Sequence, residues 1–214
     1  NFKDVRVEPN RQKSAALKLL NDLRLGALGK KENKASLDIL DDFFTGKTHK
    51  PECPLRAICT DKGTWQVQVG GFFQRQLNTL KNDDPFVVKS SIEVIQKFET
   101  LTSRPSVFSI EVKDIFYSVP HTGLFNAAMD KAEATKAVCF QNTTGLSGDN
   151  FIVLLEFYLQ STVIEHNYKH FVQKDGIYIG SSLAPVLRNI YLEAMEKLIA
   201  GDLHDTNVRR VLRC

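Results

Sequence analysis

The earliest regular hydrophobic spacing lies in "RQKSAALKLLNDLRLGAL" (residues 11–28), where Leu17, Leu20, Leu25 and Leu28 stand among polar positions. Leucines returning at about one-turn intervals predict an amphipathic helix. The lysine-rich "GKKENK" interrupts that pattern, and a second short helix is expected near residues 36–44. After a loop with two prolines, "PLRAICT" predicts a short strand. In "TWQVQVGGFFQRQLNTL" the Gly70-Gly71 pair predicts a break with a helix after it. "KSSIEVIQKFETL" opens with Ser90 and carries Glu93 three positions later, a capping box, and Ile92, Ile95 and Leu101 continue one helical face.

The stretch "SVFSIEVKDIFYSVPH" changes period. Phe108, Ile110 and Val112 alternate with Ser109 and Glu111, which predicts a strand over 107–113 with Glu111 leaving on its polar face. Helices are expected over 121–136 and about 147–160, the second starting near Ser147. "TVIEHNYKHFVQKDGIYIG" has strand composition with turn signals at His166-Asn167 and Asp175-Gly176, so it predicts a hairpin. "SSLAPVLRNIYLEAMEKLIAG" is the clearest helix, expected over 183–200. Ser182 or Ser181 caps it, Pro185 fits its first turn and Gly201 follows its end. Helices and strands mix without regular βαβ alternation, so the fold class is α+β rather than a doubly wound sheet. There is no internal repeat and no low-complexity segment.

Composition narrows this picture modestly. A chain of 214 residues with 43% hydrophobic content can bury a real core, as one large domain or two small ones. It has no apolar run of about 18 residues, so no membrane span is expected. The polar N-terminus lacks the apolar stretch of a signal peptide and an initiator Met, and both ends read as cut from something longer. The four cysteines show neither a C-x-x-C pair nor zinc spacing, which favours reduced thiols. A formal net charge of +3 is too small to establish a nucleic-acid partner. Its distribution is more informative: Lys47, His49, Lys50 and Arg56 gather around two prolines with one acid, Glu52, although such short basic loops are usually only solvated.

Glu111 and Asp114 therefore admit two readings. They are either a solvated strand end or carboxylates of a metal-dependent phosphoryl-transfer site beside Phe116 and Tyr117.

Three separated stretches resemble, in the right order, the motifs of reverse transcriptases, particularly of the Penelope-like retroelement group. "GKTHKPECPLRAI" is similar to a fingers motif in which Pro-Lys-x-His-Lys-Pro precedes Pro-Leu-Arg-Pro-Ile. "FSIEVKDIFYSVP" resembles the first palm motif, an Asp followed after about four residues by an aromatic. "GIYIGSSLAPVLRNIYLE" resembles the second, a Gly-x-x-x-Gly-Ser-Pro-Leu-Ser-Pro turn running into a helix. The likeness covers most of residues 40–214. It implies an incomplete right hand, with a fingers-like part over 1–105 and a partial palm over 106–214, built on a small antiparallel sheet packed on helices.

The resemblance also implies roles. The activity is RNA-directed DNA polymerisation, with an RNA template, a DNA primer and deoxynucleoside triphosphates as partners and Mg2+, or Mn2+ in its place, as cofactor. Catalysis of this kind is mostly positioning and charge neutralisation by two metal ions. Glu111 occupies the first metal-ligand position, with the carbonyl of Val112 as its companion. Asp114 lies on the turn near the incoming triphosphate, and Phe116 matches the aromatic under the sugar that excludes a 2′-hydroxyl. Tyr117 is assigned to core packing. Arg56, with Lys47 or Lys50, matches the cations that neutralise the triphosphate. The turn from Gly176 through Gly180 and Ser181 to Pro185 approaches template base and nucleotide closely, and Arg188 and Asn189 follow on the template side. Arg188 is equally read as solvent-exposed. Action in the nucleus is implied by how such elements integrate.

The match departs in places. Glu111 replaces Asp, and a displacement of roughly an ångström at a reacting centre can cost about 10²-fold in rate. The Tyr/Ala-x-Asp-Asp hairpin that would complete the metal site does not appear before the chain ends, so the expectation is an inert fragment. Ile179, Ser182 and Ala184 also differ from the usual turn, as in a drifted copy. The alternative reading is a degenerate, non-catalytic nucleic-acid-binding relic.

Overall fold

The computed structural model describes residues 2–6, 9–30, 39–80, 84, 86–100, 106–203 and 211–213. In chain order the elements are β1 (Phe2–Asp4), α1 (Pro9–Asp22), α2 (Gly26–Lys30), β2 (Asp41–Gly46), β3 (Leu55–Thr60), α3 (Gln66–Thr79), α4 (Ser91–Glu99) and α5 (Ile115–Ser118). They continue with α6 (His121–Ala134), α7 (Ala137–Thr144), α8 (Gly148–Gln160), β4 (Val163–His166), β5 (Lys169–Gln173) and α9 (Ala184–Leu203). This is the α+β class, with small antiparallel sheets among helices. The chain divides into two compact units, Asn1–Leu80 with Asp114–Tyr191, and Lys81–Lys113 with Leu192–Cys214.

In the first unit β4 and β5 form the expected hairpin, with Val163 opposite Val172 and His166 opposite Lys169. Its two-residue loop is Asn167-Tyr168, both at positive φ, the backbone sense that keeps the flanking strands from splaying. β1 joins the far side of β5, giving the order β1-β5-β4. β2 and β3 make a second antiparallel pair, and Leu40 links the two sheets locally by donating its N–H to Val163 O at 2.8 Å. Along α8 the apolar positions Phe151, Leu154, Leu155, Tyr158 and Leu159 fall on one face and are all buried. Phe151 meets Phe73 of α3 and Phe140 of α7 edge to face, with centroids 5.0 and 5.2 Å apart. Ser147 caps α8 through its hydroxyl, as expected.

The second unit is held partly by charge. Arg213 pairs with Asp84 and, at 2.9 Å, with Glu196, and its backbone bridges Phe86 and Val88. The cap of α4 forms as expected, Ser90 accepting from the Glu93 N–H, while Glu93 reaches back to the N–H of Lys89. Leu101 lies outside the described residues.

Several elements depart from the pattern reading. Residues 106–112 form no strand, and Phe108 and Ile110 are 74% and 81% exposed. A strand must exchange backbone hydrogen bonds with a neighbour, and among the described residues none pairs with this stretch. The short helix expected at 36–44 is instead strand β2 from Asp41, residues 31–38 being outside the described set. Gly70 and Gly71 do not break a helix: α3 runs straight through them, because Tyr158 packs where a Gly70 side chain would be, its hydroxyl 2.8 Å from that Cβ position. The 11–28 pattern folds as two helices, with Arg24 at φ 60 between them. α9 continues past Gly201 to Leu203. The face of α4 that reads as core-forming is exposed at Ile92, Ile95 and Phe98.

Candidate functional site

The basic loop between β2 and β3 is shaped by its own backbone. Lys47 donates its N–H to Pro54 O at 2.9 Å, and Lys50 and Cys53 close successive turns within it. This leaves Lys50 exposed, while β3 presents Arg56 on an exposed position opposite Thr45. Lys47 folds inward, and its ammonium meets Asp114 at 2.9 Å.

Asp114 adopts φ 48 at the start of α5, a left-handed turn that short polar side chains tolerate. Its carboxylate makes no cap bond and faces Lys47 instead. The turn carries Phe116 and Tyr117 onto the neighbouring elements. Tyr117 is half-buried rather than core: its hydroxyl donates to Ala57 O of β3 at 2.7 Å. Burial raises the Tyr117 pKa, with the charge of Arg56 pulling the other way.

The segment after β5 is clamped from both sides. Gly176 N–H donates to Val119 O and Ile177 N–H to Phe116 O, each at 2.7 Å. Gln173 adds a second donor to Phe116 O at 3.3 Å, and His121 Nε2 lies 2.8 Å from Gly176 O. On the other flank Cys59 of β3 donates to Ile179 O at 2.7 Å. Gly176 and Gly180 sit at φ 86 and 123, and a Cβ at either would collide with the carbonyl of Phe116 or of Cys59. Glycine is required at both positions by conformation and by space. Ser181 lies in the turn that leads into α9, its Oγ accepting the Leu183 N–H, and Pro185 sits exposed in the first turn of the helix. One turn on, the Arg188 guanidinium lies 5.6 Å from the centroid of the Phe116 ring. The same guanidinium donates to Asn189 Oδ1 at 3.0 and 3.3 Å.

Hydrogen bonds thus tie Lys47 to Asp114, and the Gly176–Ile179 segment both to the Phe116 turn and to β3, which carries Arg56; Gly180 packs on the Cys59 carbonyl and Arg188 joins by its contact with the Phe116 ring. Glu111 and Val112 are exposed and belong to the second unit. Among the described residues no group of three or more His, Cys, Asp or Glu is placed to hold a metal ion.

The sequence reading missed a buried chain behind the turn. The Tyr158 hydroxyl lies 2.5 Å from that of Tyr178 and 3.0 Å from Ser181 Oγ, and Tyr178 donates to Asp61 Oδ2 at 3.0 Å. Burial pushes both phenols far above the ordinary tyrosine range. It also raises Asp61, against the lowering effect of the Tyr178 bond. A signal existed: Tyr158 is the lone polar tip on the apolar face of α8, and a buried hydroxyl must find a partner.

No family model matches the sequence, and no curated protein matches it. Among solved structures the chain is similar to an apo telomerase from Candida tropicalis truncated from its C-terminal domain, with a TM-score of 0.57 at 16% sequence identity. The match covers 92% of this chain and 47% of that one, so the chain spans about half the length of the solved protein. At this identity the likeness is one of fold alone.

Proposed function

We propose that this chain is part of an RNA-directed DNA polymerase, a segment that holds a deoxynucleoside triphosphate against an RNA template and a DNA primer. The observation that carries the reading is the convergence of the three motif-bearing stretches. Residues 47–60, 114–119 and 176–188 are far apart in sequence, yet backbone hydrogen bonds from Gly176, Ile177 and Cys59 join them. In this reading Arg56, Lys50 and Lys47 neutralise triphosphate charge, and Phe116 lies under the sugar. The tight Gly176–Pro185 backbone faces the base, and Arg188 and Asn189 contact the template side. The telomerase-like fold supports a polymerase in general. The Penelope-like likeness and nuclear action rest on the sequence motifs alone.

The described residues do not fit a two-metal centre by themselves, since no cluster of three ligands is present among them. No chemical step is therefore assigned to Mg2+ or Mn2+, and the proposed metal contact stays with Glu111 and the Val112 carbonyl. This favours, as a second reading, a non-catalytic nucleic-acid binder built on the same cradle.

The test compares dTTP and UTP binding by calorimetry, then primer extension on poly(rA)–oligo(dT). Arg56→Ala is expected to weaken triphosphate binding about tenfold or more, as loss of a charged hydrogen bond does. Phe116→Val is expected to erase any preference for dTTP over UTP. Binding that ignores both substitutions removes the cradle. A folded protein that binds primer–template but incorporates nothing with either metal favours the binder.

A further inference from the structure

A different part of the first unit carries a second set of cations. An open cavity of about 860 Å3 lies among β1, the first turns of α1, the end of α8 and the β4–β5 hairpin, with Arg6, Arg11 and Lys169 in its wall. It runs into a neighbouring opening of about 690 Å3 that shares Arg6 and Gln12 and adds Lys3 and Lys174. Against these five cations the two linings hold one acid among the described residues, Asp4. No ion pair between described residues engages any of the five. None of the residues assigned above to the nucleotide cradle lines either opening.

The rim of this groove carries an anomaly. Tyr168 is 96% exposed and sits at φ 60 in the two-residue hairpin loop. Such loops favour glycine, and an aromatic at positive φ stores strain without any burial to offset it. The loop places a free aromatic face beside Lys169 at the mouth of a basic channel. Inside, Gln12 lines both openings, and its Oε1 is buried with no hydrogen-bond partner among the described residues. An acceptor of that kind is satisfied by an amino group of a nucleobase and not by a bare phosphate.

We infer that this groove binds single-stranded nucleic acid, its phosphates following Lys3, Arg6, Arg11, Lys169 and Lys174 while a base stacks on Tyr168. Cations spread over two openings that share Arg6 and Gln12 match a ligand whose charges repeat along its length, and stacking tolerates any base because every base has a π face. The inference does not rest on the nucleotide cradle.

The experiment measures anisotropy of a labelled eight-nucleotide oligo(dC) and oligo(rC), whose bases carry the amino group that Gln12 would accept from, between 50 and 200 mM salt. Log K is expected to fall linearly with log salt, by about 0.7 for each phosphate contacted. Changing Arg6, Arg11 and Lys169 together to Gln is expected to flatten that slope by about two. Tyr168→Gly removes the ring but relieves the backbone, so it is expected to weaken binding about tenfold while the melting temperature holds or rises. Tyr168→Phe is expected to retain affinity. dTTP binding by the same variants is expected to be unchanged, which separates this groove from the cradle. An octamer affinity indifferent to Tyr168→Gly, a salt slope indifferent to the triple Gln change, or joint loss of dTTP binding overturns the inference.

Discussion

Lys47 Nζ lies 2.9 Å from Asp114 Oδ1, which ties the basic loop to the turn before Phe116. The pair is partly exposed and contributes about 1 kcal/mol or less to stability. Its larger effect is to neutralise a cation that the proposed cradle offers to phosphate. Asp114→Asn is expected to tighten dTTP binding roughly fivefold, the equivalent of about 1 kcal/mol of relieved competition. Asn tolerates the φ of 48 at this position, so folding should be little affected. Calorimetry at low and physiological salt checks this. Affinity equal to or below that of the unaltered protein would place the triphosphate away from Lys47.

Gly180 and Cys59 are coupled more rigidly. A methyl at Gly180 collides with the Cys59 carbonyl, a backbone atom in β3 that cannot rotate away. Gly180→Ala is expected to cost about 1–3 kcal/mol, the range for forcing extra volume into a packed site, with the positive φ adding strain. A local readout is available. Burial, with Asp42 adding to it, pushes the Cys59 thiol up to about 11, whereas Cys53 and Cys139 are exposed. At pH 8 the unaltered protein should label at Cys53 and Cys139 and spare Cys59. The alanine variant should gain slow labelling at Cys59 as β3 shifts. A variant that denatures at the same urea concentration and keeps Cys59 silent would show that the turn has more room than its geometry indicates.

Much of the helical framework was legible because its signals are local. Ser90 with Glu93 and Ser147 before α8 each declare themselves within four residues. The β4–β5 hairpin was equally readable from its strand composition and turn. The failures all concern information held elsewhere in the chain. Gly70 reads as a break until Tyr158, 88 positions later, is found filling the space above it. Residues 107–112 alternate as a strand should, but alternation supplies no partner, and none is present among the described residues. The motif residues were found by resemblance, and the structure brings most of them into one framework. It does so through backbone bonds from Gly176, Ile177 and Cys59 that no side-chain pattern encodes. The Asp61–Tyr178–Tyr158–Ser181 chain was missed for the same reason: apart from the polar tip of Tyr158 on its apolar helix face, nothing local marks it, and its members come from three separate segments.

That chain has a definite pH signature. Burial raises the Asp61 pKa above its ordinary value, so the folded protein prefers this carboxyl neutral, and the bond from Tyr178 only partly opposes the shift. A raised carboxyl stabilises the fold fully below its unfolded pKa of about 3.9, and that contribution is lost as pH rises through the higher folded value. Near neutrality the ionised Asp61 is therefore a cost carried behind the Gly176–Ser181 turn. Asp61→Asn keeps an oxygen for the Tyr178 hydroxyl, 3.0 Å away in the unaltered protein, and removes the charge. It is expected to raise the melting temperature at pH 7, with the advantage shrinking as pH falls toward about 4, below which the native carboxyl becomes protonated in both states. Asp61→Ala removes the acceptor as well and should forfeit about 1 kcal/mol relative to Asn. Melting curves for the three proteins from pH 4 to 8 decide the matter. If the Asn variant runs parallel to the native protein across that range, Asp61 is solvated enough to ionise freely, and the turn is held by Tyr158 and Ser181 without it.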